Sequence, residues 1–125
     1  MSPADGVSVL IVEDNADLRN LFRIALRIAG FNVREAADGY HALAAIDEAP
    51  PSVVVLDLGL PHVSGFSVLD EIRARDDRPQ PVVVVVTGLD VEDLSTTVLK
   101  KPVDPPALVA AVKAALRRSG STSAT

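Results

Sequence analysis

Three short apolar runs, built almost entirely from β-branched residues, constrain the fold of this chain more than any other feature. They are residues 7–12 (VSVLIV), 53–56 (VVVL) and 82–86, which are unbroken valine. Such runs are typical of strands that are buried on both faces, as in a parallel sheet. Each is far shorter than the roughly 20 apolar residues that a membrane-spanning helix needs. The sequence therefore predicts a buried parallel sheet and no membrane span.

Amphipathic helices are predicted in the intervals between and after the strands, where apolar residues recur at steps of three and four. Asp38 and Asp104 are expected N-caps, Ser64 precedes the third helix, and Gly30 stands where a left-handed residue would end the first. The apolar residues that define these helices are Leu18, Leu21, Phe22, Ala25 and Ile28; Leu43 and Ile46; Phe66, Leu69 and Ile72; and Leu108, Val112 and Ala115.

The order of strands and helices predicts the architecture. Adding a weaker strand at residues 32–36 and a short one around Val98 and Leu99 gives five strands that alternate with helices. This pattern implies right-handed crossovers and an α/β, doubly wound parallel sheet of order 2-1-3-4-5. Only the ten residues 88–97 separate the fourth strand from Val98 and Leu99, whereas a full crossover takes a dozen or more, so the fourth helix should be shortened or absent.

Length and composition narrow the class of protein. At 125 residues the chain fits one domain, which we place at residues 7–117 between flexible segments at 1–6 and 118–125. Its net charge of −5 is the wrong sign for a nucleic-acid surface, so proteins are the expected partners. The chain has no cysteine and no secretory pattern at its N-terminus, which favours a cytoplasmic location.

Carboxylates follow two strands that are neighbours in the predicted order. Glu13 and Asp14 come directly after the first strand, and Asp57 comes directly after the third. The carboxyl ends of these strands meet at one edge of the sheet, so the three side chains should share a pocket. Like charges held close together either raise a pKa or recruit a cation, and an oxygen-rich cluster suits Mg²⁺. Taken singly, each residue could instead cap a helix or form a turn.

A hydroxyl and a cation are expected at the same edge. Thr87 ends the fourth strand and is followed by Gly88, while Lys101 precedes Pro102 just beyond the fifth. Each alone could be an ordinary structural or surface residue. Lys100 competes with Lys101, because adjacent strand residues point to opposite faces. We favour Lys101, since proline restricts the residue before it and a cis bond would fix its direction.

In this order, and at these strand ends, the motifs resemble the receiver domains of two-component response regulators over residues 7–117. They are the acidic pair Glu13-Asp14, the run DLGLPHVSG that begins at Asp57, Thr87-Gly88 and Lys101-Pro102. No single motif is specific, but their combination is. The resemblance implies a flavodoxin-like (CheY-like) fold and a phosphoacceptor that takes a phosphoryl group from a histidine kinase or phosphotransfer protein.

The resemblance also implies a role for each residue of the site. Asp57 would be the phosphoacceptor, and Thr87 and Lys101 would contact the phosphoryl oxygens. Mg²⁺ (or Mn²⁺) would be held by Asp14, Asp57 and the backbone carbonyl of Gly59, with Glu13 acting directly or through water. A protein of this kind is not an enzyme beyond assisting its own phosphorylation and dephosphorylation. Because no output domain follows the last helix, we expect it to bind a downstream protein or to serve as a phosphate sink.

The sequence departs from the family pattern near the fourth strand. The helix expected between Thr87 and Lys101 has no room, and Val98 stands where many receivers carry Tyr or Phe. The short interval is partly similar to the FAT GUY receiver subfamily, although Val85, Val86 and Leu89 differ from its motif. The usual output surface and its aromatic coupling to Thr87 are therefore expected to be altered.

Three other functions are compatible with such a sheet. A pseudo-receiver would use the fold for binding without phosphorylation. A flavodoxin-like FMN protein would need neutral donors in its first loop, where this chain has Glu13 and Asp14. A phosphatase with an aspartyl nucleophile would normally need a second carboxylate two residues after Asp57, where this chain has Gly59. The intact acceptor set favours the receiver.

We predict that residues 88–97 form a mobile loop that becomes ordered when Asp57 is phosphorylated. Amide hydrogen exchange should be fast in this segment without phosphate and slower after phosphorylation. Full protection of these amides in the unphosphorylated protein would contradict the prediction.

Overall fold

The fold is a five-stranded parallel sheet flanked by four helices in the part of the chain that the computed structural model describes, residues 6–75, 79–91 and 94–123. The strand order is β2-β1-β3-β4-β5, which confirms the predicted 2-1-3-4-5 sheet. Along the chain the elements are β1 (Ser8–Val12), α1 (Ala16–Ile28), β2 (Asn32–Ala36), α2 (Gly39–Glu48), β3 (Val53–Leu56), α3 (Gly65–Arg73), β4 (Val82–Thr87), β5 (Thr97–Lys100) and α4 (Pro105–Ser123).

Two hydrophobic cores lie on the two faces of the sheet, because successive strand side chains point to opposite faces. Val9 and Ile11 of β1 face α1 and α4, where Phe22 is among the buried residues. Leu10 and Val12 face α2 and α3. Complete burial of a side chain as large as Phe22 stabilises the fold by roughly 1.5–3 kcal/mol. The valine-rich runs are therefore buried on both sides, as their composition predicts.

Polar side chains fix the start of each helix. Asp38 accepts a hydrogen bond from the His41 amide at 2.8 Å, and Asp104 accepts one from the Ala107 amide at 2.9 Å, which confirms both predicted caps. Ser64 accepts from the Ser67 amide at 3.2 Å. Each bond satisfies an amide that has no partner within its own helix.

The predicted apolar face of α1 was partly wrong. Phe22 and Leu26 are buried, but Leu21 is 46% exposed and Ile28 83% exposed. Leu21 and Ile28 lie seven residues apart and so share a stripe, which is rotated away from the stripe that meets the sheet. Phe66 of α3 is likewise exposed. Apolar spacing alone could not tell which of two adjacent stripes faces the sheet.

The interval after β4 was predicted to lack a full helix, and the two ends of the chain were predicted to be flexible. Residues 88–91 and 94–96, the described part of that interval, form bends and irregular backbone rather than a helix. Helix α4 continues to Ser123, past the domain end that we placed at residue 117. The expected flexible segments lie partly outside the described chain, at residues 1–5 and 124–125, as do residues 92–93 of the predicted loop. None of the described helices has the length and hydropathy of a membrane span.

Gly65, the first residue of α3, packs directly against the backbone that carries the third strand's carboxylate. A Cβ at this position would lie 2.2 Å from the Asp57 carbonyl oxygen and 2.4 Å from the Leu58 Cα. The Gly65 amide also donates to the Leu58 carbonyl at 3.1 Å. Only glycine permits this approach, because real Cβ atoms do not come so close to backbone.

We predict that Gly65→Ala lowers the free energy of unfolding by about 3 kcal/mol, because the helix or the Asp57 segment must shift to admit the methyl group. Urea denaturation checks this. Gly88→Ala is the control, since a Cβ at Gly88 would meet nothing within 4 Å. Equal stabilities for the two variants would contradict the packing argument.

Candidate functional site

The predicted carboxylates meet at the carboxyl edge of the sheet. Glu13 and Asp57 follow β1 and β3, which pair in parallel, and the Asp57 amide donates to the Val12 carbonyl at 3.0 Å. Glu13, Asp14 and Asp57 each offer a carboxylate oxygen, and these oxygens all lie within 4.8 Å of one another. The sheet register therefore brings together side chains more than forty residues apart in sequence.

Glu13 is the most deeply buried of the three, with 2% of its surface exposed. One of its carboxylate oxygens accepts a hydrogen bond from Lys101 Nζ at 2.7 Å. The other accepts one from the Asn15 amide at 3.1 Å. Both oxygens of this buried carboxylate therefore have donors, as burial of a charge requires.

Asp57 is 6% exposed and lies beside the same cation. Its Oδ2 is 3.2 Å from Lys101 Nζ, and its Oδ1 accepts a hydrogen bond from the Gly59 amide at 3.0 Å. One amide and one ammonium group thus fix the carboxylate. It keeps spare lone pairs for a further ligand.

Asp14 is exposed, and it does not cap the following helix. Asn15 does so, by accepting a hydrogen bond from the Leu18 amide at 2.9 Å. The alternative role of Asp14 as a helix cap is therefore not used. Its carboxylate instead lies close to those of Glu13 and Asp57.

The choice between the two lysines is settled by geometry. The Lys101-Pro102 bond is cis, and Lys101 Nζ contacts both Glu13 and Asp57. Lys100 points away and pairs with the exposed Asp90 at 2.5 Å. The preference for Lys101 is confirmed.

Thr87 is fully buried at the end of β4. Its hydroxyl oxygen accepts a hydrogen bond from the Leu89 amide at 3.1 Å, and its carbonyl accepts one from the Lys101 amide at 2.8 Å. The hydroxyl proton remains available for donation. Thr87 therefore lies next to Lys101 along the edge and is joined to the loop that follows β4.

Burial and neighbouring charges shift two pKa values. Burial raises the pKa of Glu13 above its ordinary 4.5, and Asp57 acts in the same direction, against the hydrogen bonds from Lys101 and Asn15. Partial burial alone would lower the pKa of Lys101. The hydrogen bond and charge of Glu13, together with the charge of Asp57, outweigh it and hold the pKa of Lys101 above its ordinary 10.5. Lys101 is therefore a cation at neutral pH.

The family model for the response regulator receiver domain matches residues 9–113, and these contain the whole site. The chain belongs to this family.

Curated relatives agree with this assignment. The chain is 39% identical over 121 residues to the transcriptional regulatory protein PrrA of Mycobacterium tuberculosis, covering 91% of this chain and 52% of PrrA. It is 36% identical over 118 residues to the DNA-binding response regulator MtrA of Mycobacterium leprae, covering 89% of this chain and 52% of MtrA. This receiver domain thus spans about half the length of these relatives.

Solved structures have the same fold. A CheY-like receiver domain from Methanospirillum hungatei superposes with a TM-score of 0.84 at 25% identity, covering 94% of this chain and 99% of that one. The chemotaxis response regulator CheY4 of Vibrio cholerae superposes with a TM-score of 0.80 at 26% identity, covering 88% and 98%. The predicted CheY-like architecture is confirmed.

The donor set of this receiver domain fits Mg²⁺. Three carboxylates offer oxygens within 4.8 Å of one another, and Mg²⁺ needs only one or two protein carboxylates because it keeps several waters. Asp14 is exposed, so this side of the cluster is accessible to water. The carbonyl of Gly59 stays a predicted ligand.

Sequence reasoning missed two residues of the site, Asn15 and Arg19. Asn15 supplies an amide to Glu13 and caps α1. Arg19 donates from Nη1 to the Glu13 carbonyl at 2.8 Å. The N-cap preference of asparagine could have indicated the first. The second has no local pattern, because it depends on the path of the turn that joins β1 to α1.

We predict that Lys101→Met destabilises the metal-free receiver by about 2 kcal/mol at pH 8, because it leaves the buried Glu13 and Asp57 carboxylates without their cation. Loss of the lysine raises the pKa of Glu13 further. A carboxyl whose folded pKa is raised loses stability as pH rises through that pKa, so the defect should shrink as pH falls toward 4.5.

Urea denaturation in EDTA at several pH values measures this effect. Lys100→Met removes the same charge but only an exposed ion pair, and we expect little change at any pH. If Lys101→Met were as stable as Lys100→Met at pH 8, Lys101 would not be offsetting the buried charges.

Proposed function

We propose that this receiver domain is a phosphoacceptor, which takes a phosphoryl group from a phosphohistidine of a histidine kinase or phosphotransfer protein onto Asp57. The observation that carries the proposal is the position of the Asp57 carboxylate. It is buried and 3.2 Å from the Lys101 ammonium group, and one of its oxygens lies within 4.8 Å of an oxygen of each of two further carboxylates. Membership of the receiver family supports it.

The transfer needs a nucleophile whose orientation is fixed and which keeps a free lone pair for the attack. A carboxylate oxygen of Asp57 would form a bond to phosphorus while the bond from phosphorus to the donor imidazole nitrogen breaks. The electron pair of that bond returns to the imidazole. The Gly59 amide, which holds Oδ1, would keep the carboxylate oriented during the attack. The product is an aspartyl phosphate.

Charge on the phosphoryl oxygens would be met by groups already present. Mg²⁺ held by Glu13, Asp14 and Asp57 would neutralise part of it. Lys101 lies between Glu13 and Asp57 and could transfer one of its hydrogen bonds to a phosphoryl oxygen. The buried Thr87 hydroxyl at the same edge would donate another.

The proposed biological role is supported by the receiver fold and by the charge of the chain. The chain would act as a cytoplasmic switch or a phosphate sink, and would catalyse only the reactions of its own aspartyl phosphate. Its relatives PrrA and MtrA are named as a transcriptional regulator and a DNA-binding regulator. This chain is a receiver domain that spans about half the length of each, and we propose that it binds proteins rather than nucleic acid, in keeping with its net charge of −5. Its similarity to FAT GUY receivers stays a prediction.

Phosphorylation of Asp57 can be tested directly. We predict that the protein incubated with acetyl phosphate and Mg²⁺ gains the mass of one phosphoryl group, mapped to Asp57, and that EDTA prevents the gain. Asp57→Asn should abolish it. Asp70→Asn, which removes an exposed carboxylate of α3, is the matched control and should be phosphorylated normally. Intact-mass spectrometry with peptide mapping provides the readout.

Two outcomes would contradict the proposal. Modification that persists in Asp57→Asn would mean that Asp57 is not the acceptor. A wild-type protein that is modified neither by acetyl phosphate nor by a cognate kinase, yet binds a partner equally well with or without Asp57, would be a pseudo-receiver.

A further inference from the structure

Arg19 links the candidate metal site to two other elements of the fold. It lies in the second turn of α1, six residues after Glu13, and its side chain is 20% exposed. Its Nη1 donates to the Glu13 carbonyl oxygen at 2.8 Å. Its Nε lies 3.6 Å from the Glu35 carboxylate of β2. One guanidinium group therefore bridges α1, β2 and the turn after β1.

The carbonyl group of the buried Glu13 is costly in free energy to leave without a hydrogen-bond donor. It lies between the end of β1 and the N-cap Asn15, and the first helical bond of α1 runs from the Arg19 amide to the Asn15 carbonyl, two residues further on. Among the described residues, no backbone amide of the sheet or of α1 donates to the Glu13 carbonyl. Arg19 provides a donor, and the planar guanidinium carries donors for both Glu13 and Glu35 at once.

With this bond, the amide, the carbonyl and the carboxylate of Glu13 all have hydrogen-bond partners. Its amide donates to the Ala36 carbonyl at 3.1 Å, and its carboxylate accepts from Lys101 and from the Asn15 amide. The peptide that carries the Glu13 carbonyl also carries the Asp14 amide. Fixing that carbonyl therefore sets the direction in which Asp14, the exposed member of the cluster, leaves the sheet.

We infer that Arg19 is a positioning residue for the divalent metal, because it fixes the Glu13–Asp14 peptide through the Glu13 carbonyl. This inference rests on the proposed metal-assisted phosphorylation. Arg19 does not touch the metal or the phosphoryl group. It acts through the turn that carries two of the three carboxylates.

The sign of the effect separates positioning from simple electrostatics. Arg19 is a cation near a cation site, so removal of its charge alone should strengthen Mg²⁺ binding slightly. Loss of positioning should weaken it. Arg23, one turn later, offers a matched control: it lies 3.6 Å from the same Glu35 carboxylate, and among the described residues it makes no hydrogen bond to residues 13–15.

The experiment measures metal affinity apart from activity. We would titrate Mn²⁺ into wild type, Arg19→Met, Arg23→Met and Arg19→Lys and follow free Mn²⁺ by electron paramagnetic resonance, with circular dichroism as the folding check. We expect Arg19→Met to raise the Kd about tenfold, Arg23→Met to leave it within about twofold, and Arg19→Lys to fall between. Phosphorylation by acetyl phosphate at saturating Mg²⁺ should be unchanged in Arg23→Met, which lies outside the site.

Each other result decides against a specific claim. An Arg19→Met Kd equal to or below the wild-type value, or matched by Arg23→Met, would overturn the positioning role. If Arg19→Met failed to fold, Arg19→Lys would be judged by the same criterion. A wild-type protein that binds no Mn²⁺ and accepts no phosphoryl group would overturn the proposed function itself, and this inference with it.

Discussion

Two buried carboxylates, Glu13 and Asp57, meet at the end of the sheet, and the rest of the site depends on how their charge is offset. Burial of like charges side by side is costly, and the raised pKa of Glu13 shows the direction of that cost. Lys101 lies within hydrogen-bond distance of both and stays protonated because both attract it. One fixed cation thus offsets part of this charge, and under the proposed function a bound Mg²⁺ would offset more of it.

The parallel sheet makes this arrangement possible, because the pairing of its strands brings together residues that are far apart in sequence. Four adjacent strands end at the same edge, and each contributes its last or next residue, namely Glu13, Asp57, Thr87 and Lys101. A one-residue slip in any strand would turn its contribution to the opposite face. The valine runs that bury both faces of the strands oppose such slips, so the core that stabilises the fold also sets the geometry of the chemistry.

The features of the fold that depend on the order of the strands were predictable from the sequence. Those that depend on the rotation of a helix or on the path of a turn were not. The strand ends could be read from the valine runs, and the restriction on Lys101 from the proline that follows it. The sequence allowed a cis bond at that proline, and the structure has one. The exposure of Leu21 and Ile28 could not be predicted, because the sequence of an α-helix with two adjacent apolar stripes does not show which stripe packs on the sheet. The contact of Arg19 with the Glu13 carbonyl also escaped prediction, since it requires the path of the turn.

The short interval after β4 changes how a signal could leave the site. Thr87 is joined to this interval by the hydrogen bond from the Leu89 amide, and Leu89 borders a surface cavity of about 500 Å³ with Val91 and Val98. Leu89 and Val98 are exposed there. If Thr87 turns toward a phosphoryl group under the proposed function, its bond to Leu89 must lengthen or move with it. The response would then reach an apolar surface through one backbone amide rather than through an aromatic side chain.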